Sequence, residues 1–264
     1  MNTPLSSDLS SDWVLKSESN GIVTLTLNRS DKFNPLSEEM MDALQAQLDT
    51  VAQSGSARVV VLAATGKAFC AGHDLKQMRA NPSLDYYQKL FKQCSKLMLT
   101  IQAMPQPVIA RVQGIATAAG CQLVSMCDLA VASSEAKFAV SGINYGLFCS
   151  TPSVGLSRNV SRKQAMEMLL TGEFIDAQTA LNRGLVNRIA APDKLDEEIG
   201  KLTASILAKP AVAVMMGKQL FYKQLEMGID AAYQLAGQTM ACNMMDEAAL
   251  EGVQAFIDKR APKW

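Results

Sequence analysis

Apolar positions at every second residue open the readable part of the chain. In residues 21–28, Val23, Leu25 and Leu27 alternate with Thr24 and Thr26. Residues 14–17 precede them across a polar, glycine-containing turn, so the pattern predicts an antiparallel hairpin. The period then lengthens. Met41, Leu44, Leu48 and Val51 recur at helical spacing, as do Tyr87, Leu90, Cys94, Leu97 and Ile101 before Pro105 and Pro107 end that run. Between and after these helices lie three short apolar runs, residues 58–63 (RVVVLA), 108–112 (VIARV) and 129–133 (LAVAS), which read as buried strands. Strand, helix, strand, helix, strand is the order of parallel crossover units, so an α/β fold is expected. Beyond Gly142 the pattern turns to loops and helices. Ser161 and Gln164 fit a capping box opening a helix that runs to about Leu170, and Gly184 suits a helix end before a strand over residues 185–189. From Asp193 onward Leu195, Ile199, Leu202 and Ile206 share one helical face, and Pro210 punctuates the helices. A boundary near Ala190 divides a sheet-based core, residues 1–190, from a helical C-terminal subdomain, residues 191–264.

In sheets of this kind ligands sit beyond the carboxyl ends of the strands. Two segments fall there: residues 68–78 (AFCAGHDLKQM) and 114–133 (GIATAAGCQLVSMCDLAVAS). Ala71 and Gly72 in one, and Ala116, Ala118, Ala119 and Gly120 in the other, are small enough for a ligand to approach the main chain. A helix is expected from about Ala118, and its first N–H groups lack intrahelical partners while its dipole favours negative charge. Such an arrangement can stabilise an enolate or a similar oxyanion.

Composition narrows the class. The chain has 264 residues, 48% hydrophobic and 19% charged, enough for one large domain with a sizeable core. Lys plus Arg and Asp plus Glu balance at 25 each, so neither nucleic acid nor an anionic membrane is an expected partner. No apolar run approaches the ~18 residues of a membrane-crossing helix. The N-terminal MNTPLSSDLSSDW has no apolar leader core and no Arg, and a cytoplasmic location is the simplest expectation. Six cysteines without CxxC spacing and a single imidazole, His73, argue against a zinc site, so no metal is expected. The thiols read as small core residues in a reducing compartment. Met215, Met216, Met240, Met244 and Met245 make the C-terminal part methionine-rich, as a core or subunit interface would be.

The two oxyanion segments resemble those of the crotonase family, which includes enoyl-CoA hydratases and isomerases. Residues 28–40 (NRSDKFNPLSEEM) are similar to that family's early coenzyme A segment and residues 177–186 (AQTALNRGLV) to its late helix-turn-strand. Residues 142–152 (GINYGLFCSTP) resemble the branch of enoyl-CoA hydratase domain-containing protein 3-like members. The resemblance implies a ClpP-like crotonase spiral of ββα units with a helical C-terminal subdomain, assembled as a homotrimer or a hexamer built as a dimer of trimers. It implies an acyl-CoA thioester as ligand, with no cofactor beyond the coenzyme A of the substrate. The backbone N–H groups of His73 and Ala119 become the oxyanion hole. Lys32, Ala71, Asp74, Leu75 and Lys76 frame coenzyme A, with Lys259 or Arg260 as further phosphate contacts, and Gly142, Asn144 and Cys149 border the acyl pocket.

Two departures from the family pattern shape the functional expectation. The family's paired acid–base glutamates correspond to Gln122 and Gly142, neither of which exchanges a proton, although by the resemblance Gln122 still faces the acyl pocket as a catalytic candidate that orients a water or the thioester. Losing one such group typically costs ~10²–10⁴ in rate, so ordinary hydratase activity is not expected. His73 stands where the family usually has a small residue; its ring, titrating near ~6.5, is a candidate proton carrier, with the alternative that only its backbone acts. The AGHD sequence also resembles methylmalonyl-CoA decarboxylase. Three outcomes stay open: an enoyl-CoA hydratase/isomerase-type enzyme stabilising a thioester enolate, a malonyl-type acyl-CoA decarboxylase, and a non-catalytic acyl-CoA-binding protein.

Overall fold

A computed structural model describes residues 13–264. The expectation that residues 1–12 carry no leader lies outside the described residues. The chain enters through β1 (Val14–Ser19) and β2 (Ile22–Leu27), paired antiparallel as expected. Asn20 (φ 51°) and Gly21 (φ 78°) both take the left-handed region, which gives a two-residue turn the twist its strands need. After α1 (Glu38–Ala52), capped by the Ser37 side chain on Met40 N–H, the fold repeats one unit. A long strand enters one sheet, a short strand enters a second, and a helix returns the chain.

The units are β3 (Val59–Ala64), β4 (Ala68–Cys70), α2 (Leu75–Ala80) and α3 (Leu84–Ala103); then β5 (Val108–Val112), β6 (Ile115–Thr117) and α4 (Ala119–Met126); then β7 (Leu129–Ser133), β8 (Lys137–Ala139) and α5 (Ser150–Asn159). After α6 (Arg162–Thr171) come β9 (Ile175–Asp176), α7 (Ala177–Asn182) and β10 (Arg188–Ala190). The larger sheet runs β1-β2-β3-β5-β7-β10, parallel except for the first pair, and the smaller runs β4-β6-β8-β9. This is the spiral of ββα units that the resemblance implied.

The strand expected over residues 185–189 begins later, at Arg188. Leu185 and Val186 are apolar because they pack into the core, not because they join the sheet, and the Leu185 N–H donates to Ala180. The capping box at Ser161 is also absent in its expected form: α6 starts there, but the Ser161 hydroxyl bonds the Gln164 side chain instead of a backbone N–H.

One core lies between the two sheets and α1, α3, α4, α5 and α6. The other face of the larger sheet is closed by α8 (Leu195–Leu207), whose Leu195 and Ile199 pack on Val59, Val61, Ile109 and Val131. Three further helices follow, α9 (Ala211–Leu225), α10 (Ile229–Met244) and α11 (Glu247–Ile257). Met240 and Met244 are exposed on α10 and Met245 just past it, while Met215 and Met216 on α9 are half-buried, so the methionines of residues 240–245 lie at the surface in the single chain. Five of the six cysteines are buried and all are free thiols; Cys242 is exposed.

Candidate functional site

The carboxyl ends of β4 and β6 lead into two adjoining turns. At the first, Gly72 (φ 95°) sits so close to the second that a Cβ on it would fall 2.9 Å from the Ala118 Cβ and 3.4 Å from the Ala119 nitrogen. Only glycine allows that approach. At the second, Ala118 adopts φ 50° and ψ −120°, a region natural to glycine and costing an alanine about 1–3 kcal/mol. Its N–H is tied to the Ala139 carbonyl at 3.0 Å, which fixes the reversal from β6 into α4. Gly120, one residue into α4, lies over the Cys70 carbonyl with no room for a Cβ, so the helix rides directly on β4.

The consequence concerns hydrogen bonding. Among the described residues neither the His73 nor the Ala119 N–H donates to a backbone carbonyl. For Ala119 this follows from its place as first residue of α4. Both residues line one cavity of about 170 Å³. Its walls are Leu75 and Met78 of α2, Phe91 of α3, Ser141 to Tyr145 in part, and the Leu147–Cys149 loop running into α5. Among the described residues, no Asp, Glu, Lys or Arg lines it.

The His73 ring is committed. Its Nδ1 lies 3.1 Å from the Leu36 carbonyl oxygen, which makes Nδ1 the donor and leaves Nε2 the bare nitrogen. Nε2 is buried without a hydrogen-bond partner among the described residues, and the ring meets Phe91 edge-on at 5.6 Å. Burial pushes the imidazole below its ordinary pKa, partly offset by the Leu36 carbonyl, so the ring is neutral at neutral pH.

Gln122 is 5% exposed and its Oε1 has no partner among the described residues. It does not line the cavity directly. The expectation that Gln122 faces the acyl pocket is therefore corrected: it is buried within α4, all of whose residues are buried. Gly142 and Cys149 both line the cavity, with the Gly142 N–H donating to Cys149 Sγ at 3.3 Å. Burial raises the Cys149 thiol above its ordinary pKa, partly countered by that N–H.

Asn144 departs from the expectation. Its side chain is exposed and reaches the Gly172 carbonyl at 3.4 Å, not the cavity, because the turn over residues 141–145 carries it outward. Of the expected coenzyme A residues, Ala71 and Leu75 line the cavity. Asp74 caps α2 instead, accepting from the Lys76 and Gln77 N–H groups, while Lys32 and Lys76 are exposed. Arg260 is held by both oxygens of Glu251. The sequence reading missed Met78, Phe91, Leu147 and Phe148 in the cavity wall. A signal existed for Phe91, since Tyr87 and Phe91 stand four apart on α3, and their rings stack at 6.5 Å.

Comparison with known proteins decides the family. The model for enoyl-CoA hydratase/isomerase matches residues 17–264. The chain belongs to the enoyl-CoA hydratase/isomerase family. It is an acyl-CoA-processing member of crotonase fold. The crystal structure of an enoyl-CoA hydratase from Mycobacterium smegmatis is 63% identical, with a TM-score of 0.94, over 96% of this chain and 98% of that one. That of human enoyl-CoA hydratase domain-containing protein 3 is 43% identical, with a TM-score of 0.92, over 96% and 100%. The protein of that name from Rattus norvegicus is 42% identical over 94% of this chain and 82% of its own length. The branch resemblance is therefore sound.

The family members also correct one expectation. The Rattus norvegicus, Danio rerio and Homo sapiens relatives are named as mitochondrial, which overturns the cytoplasmic location. Balanced charge and the lack of a long apolar run suit any aqueous compartment, so composition had no power to choose among them.

Proposed function

We propose that the chain holds the carbonyl oxygen of an acyl-CoA thioester against the N–H groups of His73 and Ala119 and stabilises the enolate formed there. The observation that carries this reading is the pair of unpartnered N–H groups on one apolar cavity. Donors fixed before the reaction cost no reorganisation as charge develops, and a dry wall strengthens them. Ala71 and Leu75 border the coenzyme A arm, with Lys32 and Lys76 as exposed cations for its phosphates and Asp74 acting through the α2 cap. The His73 backbone acts rather than its ring, a reading supported by the engaged Nδ1 and buried Nε2.

Ordinary hydration is not the favoured reaction, because the cavity wall offers no carboxylate and Gln122 is neutral. Decarboxylation of a malonyl-type thioester is the second reading, and the uncharged wall favours it. A carboxylate there lacks a cation partner, and leaving as carbon dioxide relieves its desolvation while forming the enolate without a base. The test incubates the protein with enoyl-, 3-hydroxyacyl- and malonyl-type CoA thioesters, following product mass and binding heat. Loss of carbon dioxide from the malonyl-type panel is expected, with little or no gain of water by the enoyl panel. Binding with no mass change would turn the reading to a non-catalytic acyl-CoA-binding protein, and no binding would remove the acyl-CoA assignment for this site.

Assembly as a homotrimer or a hexamer is part of the same proposal. What supports it is the apolar surface of α10, α11 and the turn between them, where Ile229, Tyr233, Met240, Met245, Phe256 and Ile257 are each more than half exposed. Sedimentation at micromolar concentration is expected to return three or six times the chain mass; a monomer would refute it.

A further inference from the structure

An enolate needs a proton at carbon, and the two oxyanion-hole N–H groups do not supply it. Among the described residues, the imidazole, phenol and thiol groups lining the cavity are those of His73, Tyr145 and Cys149. The neutral His73 ring carries its proton on Nδ1, committed to the Leu36 carbonyl, which leaves the buried Nε2 without a proton to donate. Tyr145 is 75% exposed at the rim. Cys149 remains. It is buried, it lines the same cavity as the two unpartnered N–H groups, and its Sγ receives the Gly142 N–H.

The local construction is specific to a thiol at this point. A Cβ at position 142 would lie 2.7 Å from Cys149 Sγ and 2.6 Å from the Leu147 carbonyl oxygen, so glycine there is what makes room for the sulfur. Cys149 is also the N-cap of the ten-residue α5, whose dipole favours negative charge on it. Burial keeps the resting group as S–H, while the Gly142 N–H and α5 stabilise the thiolate left after donation. Its titratable neighbour Cys121, on α4, is buried with its thiol pushed up to about 12 and stays protonated.

We propose that Cys149 is the proton donor to the α-carbon of the bound thioester enolate. This rests on the acyl-CoA reading of the cavity. The enolate's electron pair takes the Sγ proton, a C–H bond forms as the S–H bond breaks, and the thiolate regains its proton from water. In reverse, the thiolate removes an α-proton from a saturated acyl-CoA, with the resulting enolate charge on the oxygen held by His73 and Ala119.

Exchange in deuterium oxide reads both directions. Butyryl-CoA incubated with the wild-type protein is expected to take up deuterium at its α-carbon, followed by mass. Cys149→Ala should slow uptake by ~10²–10⁴-fold, with butyryl-CoA and free coenzyme A affinities within about twofold of wild type. Cys149→Ser keeps the shape and replaces the thiol with a far weaker acid, so it should lose exchange to a similar degree while retaining binding. Wild-type exchange rates in either variant would overturn the proposal. So would a wild-type protein that binds butyryl-CoA and incorporates no deuterium, a result that leaves the acyl-CoA reading standing. Failure to bind butyryl-CoA or free coenzyme A removes that reading, and the proposal with it.

Discussion

Lys218→Met is expected to destabilise the fold by about 3–5 kcal/mol, the cost of breaking a buried ion pair from one side. Lys218 projects from α9 into the core, and its three ammonium protons have three acceptors: the Ile101 carbonyl at 2.8 Å, the Gln106 carbonyl at 2.9 Å and Asp128 Oδ2 at 2.7 Å. The same Asp128 oxygen accepts the Val108 N–H at 2.6 Å, and Oδ1 accepts the Tyr222 hydroxyl at 2.9 Å. Lys218 and Tyr222 are four apart on α9, so one face of that helix clasps the end of α3, the start of β5 and the residues just past α4. Methionine removes the cation while leaving Asp128 and two carbonyls buried. Desolvation holds the Lys218 ammonium below its ordinary pKa despite Asp128, so the pair orders this junction more than it lowers the energy outright. The double variant Lys218→Met with Asp128→Asn, which removes both charges, should therefore recover at least 1 kcal/mol of the single loss. Urea unfolding midpoints of the three proteins measure this, and a single-variant cost under about 1 kcal/mol would show that water reaches the junction.

This network also shows where sequence reading stops. Lys218 and Asp128 are ninety residues apart, and neither has a neighbour in sequence that marks it as buried. The hairpin, the strands over residues 58–63 and 108–112 and the helix under Leu90 to Ile101 were legible because burial imposes a period on them. Leu185 and Val186 looked like strand for the same reason, since packing and ladder pairing leave one apolar signature. At the site, small residues announced the close approach of the two turns, and the resemblance supplied the atoms. The outward course of Asn144, the buried Nε2 of His73 and the sulfur filling the space at Gly142 depend on loop paths and distances between segments. No spacing encodes those.

Replacing the Ala119 amide by an ester, with lactic acid incorporated at that position, is expected to lower turnover by ~10²–10³ while leaving the fold nearly unchanged. The asymmetry follows from where the N–H sits. Every N–H beyond the first turn of α4 closes a helical bond, so its removal would cost stability, but Ala119 is the first residue and its N–H has no backbone partner among the described residues. The ester keeps the side chain, the Ala118 reversal and the packing of Gly120 on Cys70, and deletes one donor. A proline would delete the same donor, but the Ala118 backbone at ψ −120° conflicts with the extended conformation a residue before proline prefers. If the N–H meets charge that develops only in the transition state, the loss falls on kcat, with KM little changed. If it serves ground-state binding of the thioester carbonyl alone, KM rises and kcat holds. The readout is the kcat/KM split on the substrate found in the thioester panel, with the deuterium exchange of butyryl-CoA as a second measure, since α-proton removal passes through the same enolate. An ester variant that matches the wild type in both would show that the oxyanion forms elsewhere, and the close approach of Gly72 to Ala118 would then stand as packing alone.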